Sequence, residues 1–367
     1  MNERERVLAI IRGEKPDLVP WYADLDYWMA YLNAAGLMPE KYKGDGIYQL
    51  SRDLGAGFYL QGYFPYREVY DGVQVIREVS SDGLSRSARV VTPSGEIREM
   101  ERWIPDSYCW AYGERFVKDG HDLKALRYLY EHTFYEPDYE LAARRYELIG
   151  DNGVVLCYLP KSPLMEMVAL RAGIRAVTYA LADAPDEFEE TIAVLEKKAN
   201  EASEIALKSP AEFLMIPENL SSEVVGKNLY NKYVRPHDEA WVKRIKEAGK
   251  FSLIHIDGTL RGLIREVSET GFTVLEAVTP APAGDIEVEE LWQWVAPGTV
   301  LWGGIPGAFF SPLVSDEDFD AFVIRVLKVM KSAPRYVLGV ADQVPPHSRF
   351  ERIARVQQLV EKYGQFR

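Results

Sequence analysis

An excess of positive charge, a C-x-x-C motif, a long apolar run and a glycine-rich phosphate loop are all missing here, and each gap removes a class of function. The 43 Lys and Arg face 56 Asp and Glu, giving a net charge of −13. That balance offers no bulk field to phosphate backbones or anionic lipid, so nucleic-acid binding is not expected. Only two cysteines occur, Cys109 and Cys157, and neither belongs to a C-x-x-C arrangement. No run approaches the roughly 18 uncharged apolar residues of a membrane span. The opening Met1-Asn2-Glu3-Arg4 holds no apolar signal segment. A soluble cytoplasmic protein is the expectation. Neither G-x-G-x-x-G nor a P-loop signature is found, which counts against a nucleotide-binding fold.

What is present is enough apolar material for a large core, 47% of 367 residues, with no internal repeat or low-complexity tract. One decorated barrel over residues 1–367 accounts for this length better than several small domains. A short N-terminal helix is expected, with Asn2 as cap, Glu3 and Glu5 in its first turn, and Gly13 and Pro16 as its stop. Residues 67–103 have β-rich runs separated by turn signals at Ser81-Asp82-Gly83 and Pro93-Ser94-Gly95, and read as an antiparallel insertion.

Beyond residue 150 a β/α rhythm sets in. Apolar β-type runs at 154–159, 213–216, 251–254, 273–275, 300–302 and 336–338 are each followed by a helical stretch. The helix at 316–331 shows the pattern best: Ser315 and Asp318 start it, and Phe319, Phe322, Val323, Val326, Leu327 and Met330 form one apolar stripe. A strand at 18–25 and another at 57–60 bring the total to about eight, which favours a (β/α)₈ TIM-type barrel over an open sheet.

Barrels of this kind carry their ligands at the C-terminal ends of the strands. The polar residues there are Asp24 and Asp26, Lys161, Glu218 and Asn219, His255 and Asp257, Glu276, and Asp342 with Gln343. His255 and Asp257 lie two apart at the end of an apolar run, so their side chains point the same way. Several like charges sharing a cavity need a cation, a raised pKa or hydrogen-bond donors, which favours a metal or a cationic substrate. Taken singly, Asp24, Asp26 and Asp342 are better explained as helix caps or loop hydrogen-bonders than as catalysts. His121, His132 and His237 read as structural or surface, and turn chemistry accounts for His347. Trp21 and Tyr22, with Tyr27 and Trp28, either wall a pocket for a flat ligand or pack the core.

Residues 4–20, His255-Ile256-Asp257-Gly258, the loop 279–285, Leu301-Trp302-Gly303-Gly304 and residues 340–346, in this order and spacing, resemble the uroporphyrinogen decarboxylase superfamily. The likeness spans nearly the whole chain and implies a (β/α)₈ barrel. The superfamily contains decarboxylases of a polycarboxylate tetrapyrrole and corrinoid-dependent methyltransferases. Its decarboxylases carry an arginine-rich motif after the first strand. Here no arginine occurs between Arg12 and Arg52, and Asp24 and Asp26 would repel a polyanion.

The zinc-dependent methyltransferases of the superfamily use His-x-Cys with a distant Cys. This chain keeps His255 but has Asp257 in place of the first cysteine and Ala341 near the second. A harder set of His255, Asp257 and Glu218 or Glu276 remains for zinc or another divalent ion. The resemblance therefore implies a methyltransferase moving a methyl group from a methoxylated aromatic or methylated amine to the corrinoid of a partner protein. In that reading His255, Asp257, Glu218, Glu276 and Asp342 are catalytic, and Trp21, Tyr22, Asp24, Lys161 and Asn219 bind substrate. The alternatives are a decarboxylase and a catalytically silent barrel that binds a tetrapyrrole or corrinoid.

Overall fold

The computed structural model describes residues 1–59 and 63–366. Its first element is the helix Glu3–Ile11, where Asn2 accepts from the Glu5 backbone N–H and the Glu5 side chain accepts from that of Asn2. This reciprocal cap satisfies two donors that a helix start leaves open. Val7 and Ile10 of this helix pack into the apolar interior of the sheet.

All six runs beyond residue 150 lie in one parallel sheet of seven strands. Its order is Trp21–Tyr22, Tyr336–Ala341, Val300–Pro306, Val274–Val278, Phe251–Ile256, Phe213–Leu220 and Leu156–Tyr158. The sheet is curled, and both of its edges reach Gly57 and Phe58: Tyr22 bridges Gly57, and Phe58 bridges Gly153. The Gly57 N–H donates to Trp21 O at 2.8 Å, and the Val154 N–H to Phe58 O at 3.0 Å. A Cβ at Gly57 would lie 2.5 Å from the Tyr22 ring, so this seam takes only glycine. The eighth strand expected at 57–60 is thus reduced to isolated bridges, with Leu60 outside the described residues.

Strand alternation divides the sheet's side chains into two layers. Tyr22, Leu156, Phe213, Met215, Leu253, Val274, Val300, Trp302 and Val337 face inward with Tyr59. Their neighbours Trp21, Leu214, Ile216, Ile254, Leu275, Leu301 and Leu338 face the helical shell. The centre of the inner layer is aromatic, with Trp302 4.9 Å from the Tyr22 ring and 4.5 Å from that of Tyr59. In the shell, Asp316–Met330 is capped by Ser315 and buries the apolar stripe read from its sequence. Among the described residues no helix is long and apolar enough to cross a membrane.

The insertion is larger than 67–103. A four-stranded antiparallel sheet comprises Gln74–Val79, Ser85–Thr92, Gly95–Ile104 and Cys109–Glu114, while Tyr66–Tyr70 pairs separately with Thr133–Pro137. Of the additional strands, Cys109–Glu114 closes a hairpin in which Trp110 lies opposite Trp103, whereas Thr133–Pro137 pairs at long range, with Phe134 opposite Val69. Tyr108, in the turn before Cys109, packs 4.7 Å from Tyr31 in the helix Asp26–Ala34. The insertion is thereby tied to the helix that follows the first barrel strand.

Candidate active site at the barrel mouth

Inward-facing positions continue two by two toward the C-terminal ends of the strands. Tyr22 leads to Asp24, Leu253 to His255, and Val274 to Glu276, so these polar groups stand above the apolar interior layer. His255 and Glu276 lie side by side in the register of neighbouring strands. Glu276 is fully buried and takes two hydrogen bonds, one with His255 Nδ1 at 2.6 Å and one from the Tyr59 hydroxyl at 2.8 Å. The other ring nitrogen of His255, Nε2, faces Asp342 Oδ1 at 3.9 Å. The His255 side chain is 12% exposed and that of Asp342 is 54% exposed, so the chain of groups runs from the sealed interior to solvent.

The electrostatics follow from this placement. Burial alone would lower the His255 pKa, but the Glu276 charge and hydrogen bond, helped by Asp342 and Asp257, push it up to about 9. At neutral pH the ring is an imidazolium, held through Nδ1 and presenting Nε2–H to the mouth. Asp342 is raised by burial, against the pull of His255 and with help from Asp257 and Glu276. Asp24 is raised well above the carboxylate range by burial and then by Asp26, although the Asp26 N–H at 2.9 Å and Gln343 Nε2 at 3.1 Å both donate to it. Burial thus favours the protonated form of Asp24, which weakens its expected repulsion of a polyanion.

The backbone is bent where the polar groups gather. Asn219, Ala277 and Asp342 have φ of 55°, 62° and 73°, each at the end of a barrel strand. Such left-handed positions cost on the order of 1–3 kcal/mol and concentrate at functional sites. The Ala277 bend falls in the register shift between Leu275 and Val278, beside Glu276.

The expected residues divide into groups. His255, Asp257, Glu276, Asp342 and Asp24 share the mouth, as their mutual charge effects show. Glu218 does not join them. Met215 points inward, so Glu218, three residues on, faces the shell, where it is fully buried and accepts from Ser162 N–H at 2.7 Å and Ser162 Oγ at 3.0 Å. Burial raises its pKa against the pull of the Lys161 ammonium, and the buried Asp238 carboxyl interacts with it. Lys161 donates to Asn219 Oδ1 at 2.5 Å and to Pro217 O, on the rim of the next strand. Trp21 and Tyr22 are fully buried in opposite layers. The Tyr22 hydroxyl donates to Glu3 O at 2.9 Å, away from the mouth, so core packing accounts for both.

The ligand set His255, Asp257 and Glu218 is accordingly not assembled. Glu218 is turned to Ser162, His255 Nδ1 is engaged by Glu276, and among the described residues no three His, Cys, Asp or Glu side chains are arranged to hold an ion.

Tyr59, the donor that fixes Glu276, lies in the strand expected at 57–60 but is not among the expected site residues, because only closure of the sheet brings it to Glu276, 217 positions away. Tyr27 was noted only as an aromatic. Its hydroxyl donates to Ser107 O, and its pKa is raised by burial, then by Cys109 and by the charge of Asp342. The turn of the insertion therefore forms part of the mouth beside Asp342.

Comparison with known proteins agrees with this architecture. A solved methyltransferase from Methanosarcina mazei superposes with a TM-score of 0.61 at 12% identity, covering 99% of each chain, which establishes the shared fold. A partial likeness to the N-acetylmannosamine-6-phosphate 2-epimerase from Clostridium perfringens has a TM-score of 0.21 at 16% identity over 38% of this chain and 54% of that one, too low to carry an argument. No curated protein matches the sequence. The family model described as uroporphyrinogen decarboxylase (URO-D) matches residues 151–363, more than half of the chain and the part that holds both His255 and Glu276. By that match, this protein belongs to the uroporphyrinogen decarboxylase family.

Proposed function

We propose that this chain is a methyltransferase that takes a methyl group from a small methoxylated or methylamine donor and passes it to a corrinoid carried by a partner protein. The observation that carries the reading is the Tyr59–Glu276–His255 chain, which holds a protonated imidazole at the barrel mouth. When bound, the partner's corrinoid supplies the nucleophile that accepts the methyl group. The bonding pair then stays with the oxygen or nitrogen of the donor, which is a poor leaving group unless a proton meets it. His255 is placed to deliver that proton from Nε2, and Glu276 holds the ring in orientation and stabilises its charge. Asp342, exposed beside Nε2, is positioned to orient the donor and to return a proton from solvent. Access fits as well, because a docked partner must reach these groups from outside. No step is assigned to a metal ion, since the expected ligands do not converge.

The fold likeness to a methyltransferase and the lack of arginine between Arg12 and Arg52 support this reading over decarboxylation. Incubation with a cob(I)alamin-loaded corrinoid protein and a panel of methyl donors tests it. Methylation of the corrinoid is the expected result. Release of CO₂ from an acid substrate would replace the reading with decarboxylation, and tight corrinoid binding without turnover would replace it with a silent barrel.

A further inference from the structure

A cavity of about 330 Å³ lies between the barrel shell and the strand Tyr66–Tyr70, outside the His255 cluster. Phe64, Tyr66, Tyr130 and Tyr135 wall it, and Lys161, Glu166 and Arg171 supply its polar groups. The Tyr66 ring stands 5.6 Å from Phe64 and 5.3 Å from Tyr135. Glu166 and Arg171 bound one π-helical turn, Glu166–Arg171, a widened turn often found at functional sites. The volume is in the lower range of ligand pockets, suited to one substituted ring and too small for a tetrapyrrole.

The polar groups differ in what already satisfies them. Glu166 Oε1 takes the Tyr130 hydroxyl at 2.6 Å and Arg171 Nε at 2.8 Å. Glu68, at the exposed side, takes the Tyr70 hydroxyl at 2.6 Å. The hydrogen bonds of Lys161, by contrast, go to neutral oxygens, Pro217 O and Asn219 Oδ1. Burial draws the Lys161 pKa down despite the charges of Glu218 and Glu166. An anion at its ammonium would reverse that desolvation cost. The acids already have donors and Arg171 is paired with Glu166, whereas among the described residues Lys161 makes no hydrogen bond to a carboxylate.

We propose that this cavity binds a small aromatic carboxylate, with its ring among Phe64, Tyr66, Tyr130 and Tyr135 and its carboxylate on Lys161. Because none of the residues lining the cavity belongs to the His255 cluster, this binding site stands apart from the methyl-transfer reading.

Calorimetric titration of the full-length protein at neutral pH, with benzoate and 4-methoxybenzoate against benzyltrimethylammonium, tests the assignment without a corrinoid protein. Saturable binding of the carboxylates and none of the ammonium is expected. Lys161→Met should weaken the carboxylates by roughly tenfold to a hundredfold, as expected for loss of a charged hydrogen bond. Tyr66→Leu, which leaves Lys161 in place, should weaken them as well, and thermal unfolding of each variant checks that it is folded. Binding of the ammonium instead, carboxylate affinity unchanged in either folded variant, or no saturation through the millimolar range would overturn the proposal. Carboxylate binding without methyl transfer would overturn the proposed function and leave this site standing. Methyl transfer without carboxylate binding would do the reverse.

Discussion

Replacing Glu276 by Gln keeps the shape of the side chain and removes the charge that holds His255 protonated. The rise of the His255 pKa from 6.5 to about 9 is equivalent to roughly 3 kcal/mol favouring the imidazolium. The ring is almost wholly buried, so little of this is screened by solvent. The first influence on His255 is burial, which lowers its pKa, and the Glu276 charge and hydrogen bond are the next two. In the Gln variant burial should dominate and bring the ring below the ordinary histidine value, neutral at pH 7. Because the folded pKa is the higher one, the stabilisation in the wild type is fully present below about pH 6.5 and is lost as pH rises through about 9. Histidine-detected NMR titration reads this directly, since the chain has five histidines and His255→Asn identifies the resonance. A His255 resonance that titrates near 6.5 in both wild type and Glu276→Gln would refute the reasoning.

Other perturbations have equally definite outcomes. Asp24→Asn should stabilise the protein at pH 7 and change little near pH 4, because a buried acid with a raised pKa costs stability as pH climbs above the unfolded value; paired urea melts at the two pH values check the sign. Tyr59→Phe leaves Glu276 Oε1 buried without its donor, which should cost about 1–3 kcal/mol in urea unfolding and reduce turnover. Protein purified without chelator should contain no stoichiometric divalent metal by elemental analysis, and a stoichiometric ion lost in His255→Ala would contradict the arrangement described here.

The sequence carried the barrel strands well, since their apolar runs are long and each is followed by a helical stretch. It carried the mouth less completely, because polar residues after a run do not reveal which face they occupy. Glu218 and Asn219 read alike as strand-end residues, yet adjacent positions in a strand point to opposite sides, and the inward position of Met215 assigns Glu218 to the shell. The same alternation separates Trp21 from Tyr22. His255 and Glu276 are 21 positions apart and meet only through parallel register, which no local pattern contains. Thr133–Pro137 lies outside the expected insertion because its partner Tyr66–Tyr70 is distant in sequence, and Cys109–Glu114 because its run Cys-Trp-Ala-Tyr-Gly-Glu has no clear polar–apolar alternation. What could be read was alternation within segments; what could not was the registration between them.

The central claim is that His255 serves methyl transfer as the proton donor. Single-turnover transfer from a donor to a cob(I)alamin-loaded corrinoid protein, compared between wild type and His255→Gln, measures it most directly. The account predicts a rate loss of roughly 10²- to 10⁴-fold in the variant, in the range for removal of a general acid. It also predicts that the wild-type rate falls as pH rises through about 9, where His255 loses its proton. An unchanged rate in His255→Gln, or a wild-type rate that climbs through that pH, would contradict it.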